Sequence, residues 1–267
     1  MRAEIAGRAL RDHRRSLIAW SIGIALYVTM IVAVWPSIRD SADLTKAFQD
    51  YPDALKQLFG GEASFDFSTA SGFLNAELYS LTFPLLLSVF AIGFGAGVLA
   101  GEEELGLLDL VLAQPVARHR VVLEKGAALV VSLTVLTVVS LSALLIGGAA
   151  VGIDVGVADL CAATVGAMVV ALVMGLVALA AGACSGRRAV AVGVGAAAFG
   201  GTYLLQVVGG FVDALEPLRW AAPIHLANGS MPVRNGWPVA ELCGLVTLAA
   251  ALLVGARVAF ARRDLGR

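Results

Sequence analysis

Most side chains whose types and spacing could support chemistry lie in one charged stretch, residues 101–125, which reads GEEELGLLDLVLAQPVARHRVVLEK. Three consecutive acids, residues 102–104, are expected to begin a helix, because carboxylates are favourable at the positive end of the helix macrodipole. Three leucines then follow at the i, i+3, i+7 spacing of one helical face: Leu105, Leu108 and Leu112. Pro115 is expected to end the helix soon afterwards.

The residue types of this stretch favour a binding surface over a catalytic site. The pattern predicts a short amphipathic helix between two apolar segments, followed by a basic cluster that includes Arg118, with Lys125 at the start of the next apolar segment. The apolar face of such a helix either rests on lipid headgroups or inserts into a groove of a partner protein. Composition alone leaves both interpretations open.

Sequence signatures of an enzyme are missing. The chain contains no G-x-x-x-x-G-K-[ST] phosphate loop, so it cannot hydrolyse ATP by the usual P-loop route. It contains no G-x-S-x-G or H-E-x-x-H motif, and its three histidines lie on separate segments. The three cysteines form no C-x-x-C pair, so neither a disulfide framework nor a zinc site is indicated. We therefore expect no catalytic residue, no directly bound cofactor and no metal.

The elements that hold the charged stretch are predicted to be transmembrane helices. Of the 267 residues, 59% are hydrophobic and 15% charged, whereas soluble domains are about half apolar and a quarter charged. Runs of about 20 apolar residues match the thickness of a bilayer core. Six such runs occur, at residues 16–36, 79–100, 126–150, 160–184, 189–212 and 239–257. Residues 1–267 are thus predicted to form a single all-α integral membrane domain, and the first run is interpreted as a span and not as a cleaved signal.

The distribution of basic residues predicts the orientation. If the N-terminus is cytoplasmic, 14 of the 19 Lys and Arg residues fall in cytoplasmic segments and 5 in outer segments. Because Lys and Arg near span ends favour the cytoplasmic side, we expect both termini to be cytoplasmic. Residues 1–15 then form a simple basic anchor or a helix lying on the inner leaflet, and the two interpretations are compatible.

Two outer segments connect the spans under this topology. Residues 37–78 carry an amphipathic helical pattern, which favours either a solvated cap or a gating or partner-binding element. Residues 213–238 contain four of the eight prolines and two tryptophans. Repeated prolines forbid one continuous helix, and tryptophans suit the membrane interface. This segment is therefore predicted to form short, broken, partly re-entrant helices.

The predicted spans contain almost no ionisable residues, which argues against an ion-coupled carrier or a voltage sensor. Gln206 is the strongest polar exception, and it either hydrogen-bonds a neighbouring helix or faces a transport path. Small residues recur at four-residue spacing, which lets helices approach closely within one chain or between two copies. The two series are Ala178, Gly182, Gly186 and Ala189, Gly193, Ala197, Gly201.

The charged stretch resembles the signature of type-2 ABC transporter permeases: an acidic pair, a glycine, a leucine-rich turn, a proline, an arginine and a lysine entering the next span. The residues that carry the resemblance are Glu102, Glu103, Gly106, Leu107, Leu108, Leu110, Leu112, Pro115, Arg118 and Lys125. The upstream segment GFLNAELYSLTFPLLL, residues 72–87, is also similar to bacterial members. The chain departs from the pattern at residues 105–107, where the family often has a basic or polar residue before the glycine and threonine after it.

The resemblance implies the membrane half of an ATP-driven exporter in the bacterial plasma membrane. The expected partners are two ATP-binding cassette subunits that bind ATP and Mg²⁺, a second permease copy or a relative, membrane lipid, and a hydrophobic or amphipathic cargo such as a drug, antibiotic or lipid. Nucleic acid is not expected. Residues 102–113 would form a cytoplasmic coupling helix, and the substrate path would lie between the two permease halves.

The resemblance also implies roles for individual residues. The expected coupling residues are Glu102, Glu103, Leu105, Leu108, Leu112 and Arg118, and the offered path residues are Gln206, Phe83 and Phe90. Two other classes stay open: a non-transporting membrane scaffold or interaction protein, and an intramembrane enzyme, for which no candidate triad is found.

Overall fold

A computed structural model describes residues 4–39, 69–108, 117–210 and 216–263. Every regular element among these residues is helical, and six of the helices are long and apolar enough to cross a membrane. The expectation of an all-α membrane protein with six spans is therefore confirmed. The amphipathic pattern that the sequence suggested within 37–78 falls mostly on residues 40–68, which lie outside the described residues.

Ten helices are described along the chain. They are α1 (Glu4–Asp12), α2 (Arg14–Arg39), α3 (Ala70–Glu104), α4 (Arg118–Val151), α5 (Val157–Ser185), α6 (Arg188–Val208), α7 (Glu216–Arg219), α8 (Pro223–Asn228), α9 (Pro232–Asn235) and α10 (Val239–Arg262). The six spanning helices are α2, α3, α4, α5, α6 and α10.

The second spanning helix is longer than the sequence suggested. The sequence predicts residues 70–78 as part of an outer loop, but they are helical and lead into the apolar run. Thr69 caps the start of α3, because its Oγ1 accepts a hydrogen bond from the Gly72 N–H at 3.2 Å. Phe73 and Leu74 are buried in the core, which explains why this segment packs as helix and not as a solvated loop.

Helices α3 and α5 form the centre of the bundle. In their apolar windows 72% and 67% of the residues are buried, against 22% in α2 and in α10. Helix α5 packs against α3, α4, α6 and α10, while α2 packs mainly against α4. The outer helices present apolar faces: on α2 these are Ile18, Ile22, Leu26, Met30 and Val34. A stripe of this kind, exposed at every fourth residue, is what a bilayer covers.

Glycines allow the two central helices to cross closely. A Cβ atom placed on Gly95 of α3 would overlap the Gly175 carbonyl oxygen of α5, and one placed on Gly175 would lie 3.0 Å from the Ala91 oxygen. Small residues at a crossing point let helix backbones approach in the membrane. This contact sets the distance between α3, which carries the charged turn, and α5.

Short helices cover one end of the bundle, as the prolines predicted. Pro223 and Pro232 occupy the first turns of α8 and α9, where the missing proline N–H costs nothing. Both helices pack against α5. At the other end lie α1, the turn after α3, the turn between α5 and α6, and the end of α10. We call this second end the basic end, because most of the described Lys and Arg side chains are there.

Candidate coupling site

The three acidic residues lie at the end of a helix and not at its beginning. Helix α3 continues through Glu104 and then stops at Gly106, whose φ of 68° is left-handed. The Gly106 N–H donates to the Glu103 carbonyl at 2.9 Å, a turn that glycine adopts without penalty. A second helical stretch begins at Leu107, and residues 109–116 lie outside the described ones. The prediction that the acids begin the amphipathic helix is therefore wrong.

Carboxylates at the carboxyl end of a helix are unfavourable by themselves, because this end of the macrodipole is negative. The structure compensates each of the three with a donor from a different helix. These donors lie on α4, directly after the end of α10 and on α6, so the end of α3 is bonded to three neighbouring helices.

Glu102 pairs with a buried cation. The Lys125 Nζ donates to Glu102 Oε2 at 2.6 Å and also to the Val98 carbonyl oxygen, and only 1% of the Lys125 side chain is exposed. Val98 lies in a π-helical turn, Gly97–Gly101, in which the backbone bonds shift from i+4 to i+5. A buried ammonium requires an anionic or strongly polar partner. Lys125 thus holds the last turns of α3 against the start of α4.

Glu103 forms a two-pronged ion pair with the end of α10. The Arg263 Nη2 and Nη1 atoms lie 2.5 Å and 3.0 Å from the two Glu103 carboxylate oxygens. Parallel bonds of this type fix geometry as well as adding energy. Arg118 adds a third contact, because its Nη1 donates to the Arg263 carbonyl oxygen at 2.8 Å. Gly186 leaves the space that the Arg263 guanidinium fills, since a Cβ there would lie 2.6 Å from Arg263 Cζ.

Glu104 caps a neighbouring helix. Its Oε1 accepts the Arg188 N–H of the first turn of α6 at 2.8 Å. The residue that precedes α6, Arg187, provides no side-chain cap of its own. The first N–H groups of a helix have no acceptor within it. Glu104 therefore supplies an acceptor from another helix.

A second carboxylate cap attaches the N-terminal helix. Glu124 Oε2, on α4 beside Lys125, accepts the Ile5 and Ala6 N–H groups at 3.1 Å and 3.2 Å. Its other oxygen lies 2.8 Å from Arg120 Nε. The start of α4 is therefore bonded both to α1 and to the end of α3.

The leucines do not form the single face that their spacing predicted. Leu105 is 74% exposed and Leu108 is 1% exposed, because the left-handed turn at Gly106 separates them. Leu107 is 37% exposed, and Leu112 lies outside the described residues. The exposed apolar surface at this turn is thus provided by Leu105 and Leu107.

The three residues predicted to line a transport path are buried within the helical bundle. Phe83 and Phe90 are 1% and 4% exposed, with ring contacts to Tyr79 and to Trp20, respectively. Gln206 is 8% exposed, and its Oε1 has no hydrogen-bond partner among the described residues. A path role for these three residues stays a prediction.

Sequence reasoning missed the donors of the site. Arg263 and Arg188 lie 160 and 84 residues from their carboxylate partners. Lys125 was recognised only as part of a motif, although a lysine at the entry of an apolar run signals the need for a nearby acid. Among the described residues, no group of three or more His, Cys, Asp or Glu side chains is arranged to hold a metal ion.

The described residues thus form a bundle with six apolar helices long enough to span a membrane, and the charged turn is bonded to three of its helices. The family model described as ABC-2 family transporter protein matches residues 3–265, and the chain belongs to this family. It is a multi-pass membrane permease subunit of an ABC transporter, a class in which ATP is hydrolysed on a separate subunit. A search of curated proteins gave no match.

Proposed function

We propose that this chain is the membrane half of an ATP-driven exporter, and that the turn at residues 102–108 transmits movements of the ATP-binding subunits to the spans. The observation that carries the proposal is the position of three consecutive carboxylates, each bonded to a different helix. In this reading the basic end is cytoplasmic, in agreement with the positive-inside rule.

The contacts support transmission because they make the turn a common attachment point. Lys125 is on α4, Arg188 on α6 and Arg263 at the end of α10. A push on residues 105–108 displaces the end of α3 and, through these bonds, the ends of three other spans. A turn bonded to α3 alone would move without them.

The surface for the ATP-binding subunit is apolar and small. Leu105 and Leu107 project from the turn at the basic end, with exposed fractions of 74% and 37%. Exposed apolar side chains surrounded by charge are typical of a docking position. Glu102 and Glu103 bond within the chain, so they position the turn instead of meeting the partner directly.

A second permease copy is proposed to pack on α6. The small-residue series on this helix is exposed along its length: Ala189, Gly193, Ala197 and Gly201. By contrast, Gly182 of the other series packs within the chain, since a Cβ placed on it would lie 3.3 Å from the Cβ of Ala100. Small residues on an outward face permit close contact with another helix in the membrane. The cargo path would then lie between the two copies, and the near absence of charge in the spans favours a hydrophobic or amphipathic cargo.

The proposal is tested by purifying the tagged chain from its native membranes in mild detergent. We expect a P-loop ATPase at one copy per permease chain, and ATP-dependent movement of a hydrophobic dye into inverted vesicles that contain both proteins. A chain that purifies alone from several detergents, with no dye movement on adding ATP, would favour the scaffold interpretation and overturn the exporter.

A further inference from the structure

A polar cavity at the end opposite the charged turn has no role in the coupling site. Its volume is about 270 Å³, and it lies between α7, α8 and the first turn of α10. Its polar and aromatic lining consists of Glu216, Arg219, Trp220, His225, Ser230 and Glu241. Pockets for complete drug-sized ligands are about 300–1,000 Å³, so this cavity suits a small polar group.

The cavity lining contains one cationic residue, Arg219, and two carboxylates, Glu216 and Glu241. Within the part of the chain that the structure describes, no ion pair joins Arg219 to Glu216 or to Glu241. Arg219 Nε is buried, and among the same residues it has no hydrogen-bond partner. A guanidinium held in this way favours a phosphate or carboxylate oxygen as acceptor, whereas the two carboxylates favour a cation.

The neutral and aromatic side chains add to this pattern. The Trp220 ring meets the His225 ring edge-on, with centroids 5.2 Å apart, and Trp220 is largely exposed beside the cavity. An indole face attracts ammonium groups. Burial and the nearby Arg219 guanidinium lower the pKa of the His225 imidazole. The His225 Nδ1 is buried, and no described residue hydrogen-bonds to it.

Two glycines leave room for the nitrogen-bearing side chains of the cavity. A Cβ on Gly209 would lie 2.9 Å from Arg219 Cδ, and one on Gly229 would lie 2.9 Å from His225 Nδ1. A side chain at either glycine would therefore clash with Arg219 or His225.

We propose that this cavity binds a small zwitterionic group, in which an ammonium meets Glu216, Glu241 and the Trp220 ring while a phosphate meets Arg219. A simple cation leaves Arg219 without an acceptor, and a simple anion faces two carboxylates. Only a ligand with both charges satisfies both halves of the site. The phosphoethanolamine unit has this chemistry, and it reaches the site either as a soluble compound or as the head of a membrane lipid. The proposal does not depend on export.

The test measures binding of O-phosphoethanolamine by calorimetry to the full-length chain in nanodiscs of phosphatidylglycerol alone, which contain no zwitterionic lipid. Ethanolamine and inorganic phosphate are expected to bind at least about tenfold more weakly, since each lacks one of the two charges. Arg219→Gln, which keeps the aliphatic stem over Gly209, and Glu241→Gln are each expected to weaken phosphoethanolamine binding about tenfold. Arg234→Gln, an exposed residue at the same end of the bundle, is the control and is expected to leave binding unchanged.

The two sources of the ligand are separated by adding phosphatidylethanolamine to the nanodiscs. Several-fold weaker binding of the soluble compound identifies the lipid head as the competing occupant, and unchanged binding identifies the soluble form; both results support the zwitterion site. Equal affinity for ethanolamine, equal affinity in the Arg219 and Glu241 variants, or no measurable binding would overturn it. Thermal unfolding of each variant, compared with the unaltered chain, shows that a loss of binding is not a loss of fold.

Discussion

Lys125 reaches across from α4 to Glu102 at the end of α3, with its ammonium nitrogen 2.6 Å from the carboxylate and almost none of its side chain exposed. The same nitrogen bonds the Val98 carbonyl oxygen inside a π-helical turn. This pair therefore joins the two spans on either side of the charged turn at the point where α3 departs from regular helical geometry.

The first prediction concerns the buried charge. Glu102→Gln is expected to lower the free energy of unfolding by about 3 kcal/mol, because it leaves the Lys125 ammonium buried without an anion. The double variant Glu102→Gln/Lys125→Met removes that charge and should recover part of the loss. Denaturant unfolding in detergent measures both. A double variant less stable than Glu102→Gln alone would contradict the buried ion pair.

The second prediction separates transmission from stability at Arg263. Arg263→Lys keeps the charge but loses the paired bonds to Glu103. We expect a stability loss of only about 1 kcal/mol, because both side chains are about one quarter exposed. The ratio of transport to ATP hydrolysis in the assembled complex should fall several-fold. Arg262→Lys, at the exposed neighbouring position, is the control; equal ratios in the two variants would remove Arg263 from the transmission route.

The third prediction uses two glycines of α3 that are two residues apart and therefore lie on different faces of the helix, Gly93 and Gly95. Gly95→Ala is expected to destabilise the chain by about 1–3 kcal/mol, since its Cβ would overlap the Gly175 oxygen and the helices must separate. Nothing lies within 4 Å of a Cβ on Gly93, so Gly93→Ala should be neutral or stabilising by up to about 1 kcal/mol. Thermal unfolding in one detergent compares them directly, and equal behaviour would disprove the close crossing of α3 and α5.

The fourth prediction addresses the second permease copy. Gly193→Leu places a large side chain on the exposed small-residue face of α6 and is expected to weaken self-association in the membrane at least about tenfold. Gly23→Leu, on the exposed face of α2, is the matched control, because neither glycine has a neighbour within 4 Å. Energy transfer between labelled copies in lipid vesicles measures the change. An equal loss in both variants would show that α6 is not the pairing surface.

The sequence predicted the elements of this fold better than it predicted their contacts. Six spans follow from run length, and the broken segment before α10 follows from its prolines, because both are local properties. The start of α3 was missed because Thr69 and the buried Phe73 indicate helix only once the packing of residues 70–78 is known.

The charged turn shows the same limit more sharply. Three adjacent acids are typical of a helix start, yet here they end one, because Gly106 turns the chain and their donors come from other parts of the bundle: the Lys125 ammonium, the Arg263 guanidinium and the Arg188 backbone N–H. Those partners are 23, 84 and 160 residues away, and no local pattern identifies them. That this stretch docks a partner protein stays a prediction from the sequence, which also allows its leucines to rest on lipid headgroups.

The most direct test of the central claim is to measure the amount of P-loop ATPase that remains bound to the purified Leu105→Glu chain. Leu105 is 74% exposed, so this change leaves the fold intact while placing a charge on the proposed docking surface. Leu218→Glu, at an exposed leucine of the opposite end, is the control. We predict loss of most of the ATPase from the Leu105 variant and full retention in the Leu218 variant, and equal retention in both would contradict docking at the charged turn.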